Sequence, residues 1–205
     1  MTAVVDYALV GDGGSDRALL PILKWALRRH RPAASFALQG FAARGGRPVG
    51  EAIDDAMARF RPTLLFVHRD AERQPPVERL AEIPKRRGVV PVVPVRMTEA
   101  WLLIDEHAVR RAANNPNGTT PLSMPSLRAL ESLPSPKDVL KDLLLTAADA
   151  AGPRRRQRFD RDYPSMVHRV ADTIEDFGAL DGLAAFRAFT VELRGALDLA
   201  VAGAP

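Results

Sequence analysis

The chain has 205 residues, 46% of them hydrophobic, which suits one ordinary domain with a proper core, alone or with a helical appendage. No apolar run is long enough for a membrane span, and the start lacks the basic-then-apolar pattern of a secretion signal; a cytoplasmic protein is expected. There is no cysteine, so disulfides and thiolate metal sites are excluded. Lys and Arg outnumber Asp and Glu, 29 to 25, and most of the basic residues are Arg. That balance suits a nucleic-acid partner, although the Arg usage of a GC-rich genome gives the same composition.

The stretch Asp6–Leu23 sets the plan. Tyr7–Val10 reads as a buried strand, and Gly11-Asp12-Gly13-Gly14 as a tight turn. A helix follows over Asp16–His30, with Ser15 or Asp16 as its N-cap. The turn lacks the third glycine of a dinucleotide fingerprint and the Gly-Lys-Ser/Thr of a P-loop. Two readings stay open for Asp12: a metal-binding carboxylate at the ligand-binding edge of an α/β sheet, or a solvated turn residue.

Further along, Ser35–Leu38 is a second strand, Phe41–Pro48 a Gly/Arg loop, and Val49–Phe60 a helix. Thr63–Val67 is apolar throughout and is expected to be a central parallel strand. A helix within Pro75–Arg86 precedes a fourth strand, Val89–Val95, whose Pro91 and Pro94 place it near an edge or at a bulge. Thr98 is expected to cap a helix carrying Trp101, and Trp101 is read chiefly as a core residue. A short helix covers Glu106–Ala113. This alternation predicts a mostly parallel sheet flanked by helices over residues 1–113. Residues 114–205 read as a mainly helical region packed on that domain. Its helices are expected near Ser126–Leu133, over Pro136–Ala150 after the N-cap Ser135, and over Tyr163–Phe177 and Leu183–Ala200. Between them, Arg154 to Arg158 reads as a basic loop.

Acids follow three of the strands: Asp12 after the first, Asp70 and Glu72 after the third, and Glu99 just past the fourth. Separate strand–helix junctions converge at one sheet edge, and two or three such carboxylates suit Mg²⁺. Asp12, Asp70 and Glu72 are the expected metal ligands, with Glu99 as a further ligand or a proton acceptor. Each has a plainer alternative as a helix cap or dipole partner. Arg44 and Arg47 in the glycine loop, with Arg154, Arg155 and Arg156, are the candidate phosphate contacts; a solvated loop is the alternative.

Val10-Gly11-Asp12-Gly13-Gly14-Ser15-Asp16 resembles the first motif of Toprim domains, and Phe66-Val67-His68-Arg69-Asp70-Ala71-Glu72 resembles their second. Thr98 to Asp105 and Leu133 to Leu140 resemble the bacterial domain-of-unknown-function 4276 family, a Toprim-related group. The resemblance implies a Toprim-like, Rossmann-like α/β domain, similar to that of overcoming-lysogenization-defect nucleases. It also implies Mg²⁺- or Mn²⁺-dependent phosphodiester chemistry on nucleic acid, in phage defence beside an ATPase partner. Two positions depart from the motifs: Asp12 stands where Glu is usual, and His68 where an Asp is usual. Nitrogen is a poor Mg²⁺ ligand, so His68 is expected as a general acid/base, as part of a Mn²⁺ site, or as a partly buried residue bonded to a carbonyl. The other reading is a non-catalytic partner protein that keeps the fold around a degraded metal site.

Overall fold

The structure is a computed structural model that describes residues 4–149 and 152–202. Four strands form one all-parallel sheet: β1 (Val4–Gly11), β2 (Ser35–Ala43), β3 (Leu64–His68) and β4 (Val89–Val92), in the spatial order β2-β1-β3-β4. The fold is α/β and Rossmann-like, with a helical C-terminal part. Seven α-helices are described: α1 (Leu19–His30), α2 (Val49–Phe60), α3 (Pro76–Ala81), α4 (Glu106–Ala112), α5 (Pro136–Ala147), α6 (Pro153–Thr173) and α7 (Ala184–Ala202).

Strand alternation sorts the core into two layers. Val5, Tyr7, Leu9, Leu64, Phe66, Val90 and Val92 face α1 and the C-terminal helices. Ala8, Val10, Leu65 and Val67 face the α2 residues Val49, Ala52, Ile53 and Ala56. All five residues of β3 are buried, as its unbroken apolar run predicts for a strand covered on both faces. β4 is the edge strand its prolines demand, and it stops at Val92, before Pro94. Trp101 is fully buried, with its ring edge-on to Phe186 at 5.1 Å. Residues of α6 and α7 share one continuous core with β1, β3 and β4.

Several local expectations need correction. β2 runs on to Ala43, through the start of the expected glycine loop. Its register shifts by one residue between Leu38 and Gly40, and a side chain at Gly40 would strike the Phe60 ring, so glycine lets the strand continue there. Arg154, Arg155 and Arg156 lie not in a loop but on the exposed first turns of α6. Gly152-Pro153, read as a stop after α5, is the N-cap and first residue of α6, where a missing N–H costs nothing. Ser135 caps α5 as expected, accepting from the Asp138 N–H. α5 ends at Ala147; the expected end at Ala150 lies outside the described residues. Met97, not Thr98, caps the 3-10 turn Thr98–Leu102.

Candidate functional site

β1 has β2 on one side and β3 on the other, so the chain reverses its direction of travel across the sheet between β1 and β3. The crevice outside the carboxyl ends of such a pair is where open α/β sheets bind ligands. The segments that leave it are Gly11 to Asp16 and His68 to Glu72.

Asp12 lies here but is already partnered. Its carboxylate accepts from Arg44 Nε at 2.9 Å and from Arg69 Nε at 3.1 and 3.2 Å, and Arg69 also pairs with Glu82. Arg44 is therefore bound to an acid within the chain rather than free for phosphate, and Arg47 pairs with Asp55 at 3.6 Å. Glu72 turns away from the crevice. It adopts a left-handed backbone (φ 53°), its side chain is 63% exposed, and it meets Arg79 at 3.5 Å beside a different cleft. Asp12, Asp70 and Glu72 thus do not form the expected three-carboxylate set. Their oxygens answer to different partners, and among the described residues no group of three or more His, Cys, Asp or Glu side chains is arranged to hold a metal ion.

The acids that do converge are Asp16, Asp70 and Glu99. They line one small cleft of about 80 Å³ with Ser15, Thr98 and Lys137. Asp16 is 5% exposed, and it is the residue the sequence reading treated only as a cap. Its Oδ2 accepts from the Gly13 N–H at 2.9 Å, which folds the glycine turn over the carboxylate. Gly11 makes room for it, because a Cβ there would sit 2.7 Å from the Asp16 Cβ and 2.8 Å from its Oδ2. Gly11→Ala should therefore displace Asp16 and cost about 1–3 kcal/mol, the usual range for overpacking. Urea unfolding checks the cost, and a loss below about 0.5 kcal/mol would contradict this packing.

His68 is fully buried under the cleft. Its Nδ1 lies 3.0 Å from the Val92 carbonyl, which only a ring N–H can satisfy. Its Nε2 lies 3.1 Å from Asp70, 3.3 Å from the Thr98 hydroxyl and 3.8 Å from Asp16. Burial pulls the imidazole pKa down, but the hydrogen bond and charge of Asp70, then the charge of Asp16, more than reverse this and hold it above the ordinary value. Both ring nitrogens thus have partners within the chain, the Val92 carbonyl at Nδ1 and the Asp70 carboxylate at Nε2. The contact with the Val92 carbonyl matches the expected alternative of a buried residue bonded to a backbone carbonyl, and with both nitrogens engaged the geometry suits a positioning role.

Asp70 Oδ1 accepts from His68 and from the Thr98 N–H at 3.0 Å, so the acid after β3 steadies the turn after β4. Both bonds fall on Oδ1, and Asp70 lines the cleft. Burial raises the Asp16 carboxyl pKa; the His68 charge and the Gly13 N–H oppose this without cancelling it. Burial likewise raises Glu99, its own backbone N–H opposes, and the charges of Asp70 and Asp16 add to the rise against Lys137. The Tyr163 phenol, also pushed up by burial and then by the Glu99 charge, donates to the Lys137 carbonyl at 3.3 Å. The site is a cluster of three acids beside one lysine, over a buried histidine, and burial raises the proton affinity of two of the acids, Asp16 and Glu99.

Comparison with family models, with curated proteins and with solved structures found no match to this chain.

Proposed function

We propose that this cleft is a phosphodiester site for nucleic acid that works with a divalent cation, Mg²⁺ or Mn²⁺. The observation that carries the reading is that acids from three strand ends, Asp16, Asp70 and Glu99, line one cleft with Lys137 where the strand order reverses. The resemblance of the surrounding motifs to Toprim domains points the same way.

Mg²⁺ is commonly bound by one or two carboxylates, with waters and substrate phosphates completing its shell, rather than by an all-protein cage. Asp70 and Glu99 would hold the cation, as carboxylates of that donor chemistry, although they do not form a closed cage. When bound, the cation would polarise the phosphate. The remaining work falls to the chain's own groups. Lys137 would take a non-bridging phosphate oxygen. Glu99, with its raised proton affinity, would accept or return a proton at its carboxyl oxygen. His68 would hold Asp70 in place from beneath. Asp12, Glu72 and the arginines on α6 have no part in this arrangement.

One observation favours a second reading, the non-catalytic partner protein: Arg44 and Arg69 already neutralise Asp12, as in a site that no longer takes a cation. Thermal melting with Mn²⁺, a short oligonucleotide, or both separates the two. The catalytic reading predicts that the pair together raises the midpoint more than either alone, since ligands of the native state stabilise it, and that Glu99→Gln removes the gain. A flat response to the pair, or an equal one in Glu99→Gln, overturns it.

A further inference from the structure

The two edges of the sheet are guarded very differently. β4 is four residues long and carries Pro91. β2 is nine residues long, SFALQGFAA, with neither a proline nor a charge, and among the described residues it pairs only with β1. A long uncharged edge is a template for another strand, and folded proteins usually blunt such edges with charge, proline or a bulge. Here the device is the register shift at Gln39. It keeps Phe36, Leu38 and Phe41 on one face, because they pair with Val5, Tyr7 and Leu9 of the α1-side core.

That face borders a groove of about 900 Å³ between β2, α1 and the end of α6. Along it run Arg17, Lys24 and Arg28, all exposed, and none of them forms an ion pair among the described residues. Lys24 and Arg28, four residues apart, share one face of α1, and Arg17 lies in the 3-10 turn that leads into it. Asp172 and Glu175 lie at the α6 end of the groove, and Arg29 is held by Asp181.

We infer that the free edge of β2 and the α1 cation stripe together take an extended acidic segment of a partner protein as a fifth strand. Strand addition gives such a segment backbone hydrogen bonds from the edge, and alternate side chains reach the flanking groove. The unpaired stripe selects acidic residues at those positions. A second copy of this chain fits less well: joining two β2 edges about an axis normal to the sheet brings stripe against stripe. A nucleic-acid strand also fits less well. It offers the β2 edge no alternating N–H and C=O groups to continue the sheet, and the Trp25 face it would stack on is covered by Arg29 at 4.9 Å. This surface lies apart from the acidic cleft, and its test reads binding without chemistry.

The test pans a displayed library of random nonapeptides on the full chain, then measures the enriched peptides by fluorescence anisotropy. The expected result is a set of peptides with acidic residues at alternate positions. Their binding should weaken about tenfold in the Lys24→Glu/Arg28→Glu double variant and again in Leu38→Glu, which places a charge on the edge. The cooperative melting of each variant is the control for folding. Three results overturn the proposal: no enrichment, or enrichment of neutral or basic peptides; binding that all three substitutions leave unchanged; or light scattering that shows a dimer lost in Leu38→Glu. Competition of the enriched peptides by oligothymidylate at equal concentration also overturns it, in favour of a nucleic-acid strand.

Discussion

Asp70→Ala is expected to cost about 3–5 kcal/mol of folding stability, the range for breaking a buried charge pair from one side. The Asp70 side chain is 24% exposed and that of His68 is 0% exposed, so little solvent reaches their contact. Removing the carboxylate strips the buried His68 ring of its hydrogen-bonded partner and leaves the Thr98 N–H without an acceptor. Asp70→Asn keeps an acceptor for Thr98 and should cost less, about 1–2 kcal/mol. Urea unfolding of both variants measures the difference. Equal, small losses would mean that His68 is not held as a cation by Asp70.

The second large effect is in pH. His68, Asp16 and Glu99 all have folded pKa values above their ordinary ones. In each case the folded state binds more protons than the unfolded chain, so stability falls as pH rises. For the carboxyls, the stabilisation present below their ordinary values of 3.8 and 4.5 is lost as pH climbs through their raised values. For His68, the contribution is complete below the ordinary value of 6.5 and is lost as pH passes its raised one. These three groups should therefore lower the melting temperature as pH rises above 3.8 and 4.5 for the carboxyls and above 6.5 for His68, by about 2–4 °C for each kcal/mol lost. His68→Gln should flatten the upper part of that slope, and Asp16→Asn the lower part. A melting temperature that rises steadily over the same range would contradict the raised proton affinities.

The frame of this fold was readable because burial leaves a strong pattern. Val49–Phe60 is a helix in the sequence pattern and in the structure alike, since Val49, Ala52, Ile53 and Ala56 repeat at helical spacing against the sheet. Thr63–Val67 reads as a central strand because both of its faces are apolar. The start of α6 gave no such pattern: in Arg154-Arg155-Arg156-Gln157-Arg158 every residue is exposed, and the buried face begins only at Phe159. The expected start at Tyr163 falls inside α6, one residue before Pro164.

The site was half readable. The rule that acids at strand ends converge identified Asp70 and Glu99, which do line the cleft. It favoured Asp12 over Asp16 because Asp12 is nearer the strand, but position along the chain does not say which acid turns inward. That depends on Gly11, which clears the space Asp16 fills, and on two arginines distant in sequence that draw Asp12 aside. The signal available in the sequence was the glycine immediately before the turn, with an acid five residues later.

A nuclease assay on plasmid DNA and on RNA, with Mg²⁺ and with Mn²⁺, tests the central claim most directly when Asp70→Asn, Glu99→Gln and Glu72→Gln are run beside the parent chain. The cleft built on Asp16, Asp70 and Glu99 predicts that the parent cuts, that Asp70→Asn and Glu99→Gln do not, and that Glu72→Gln cuts like the parent. Cutting that survives Glu99→Gln and disappears with Glu72→Gln, or no cutting by the parent with either cation, would contradict it.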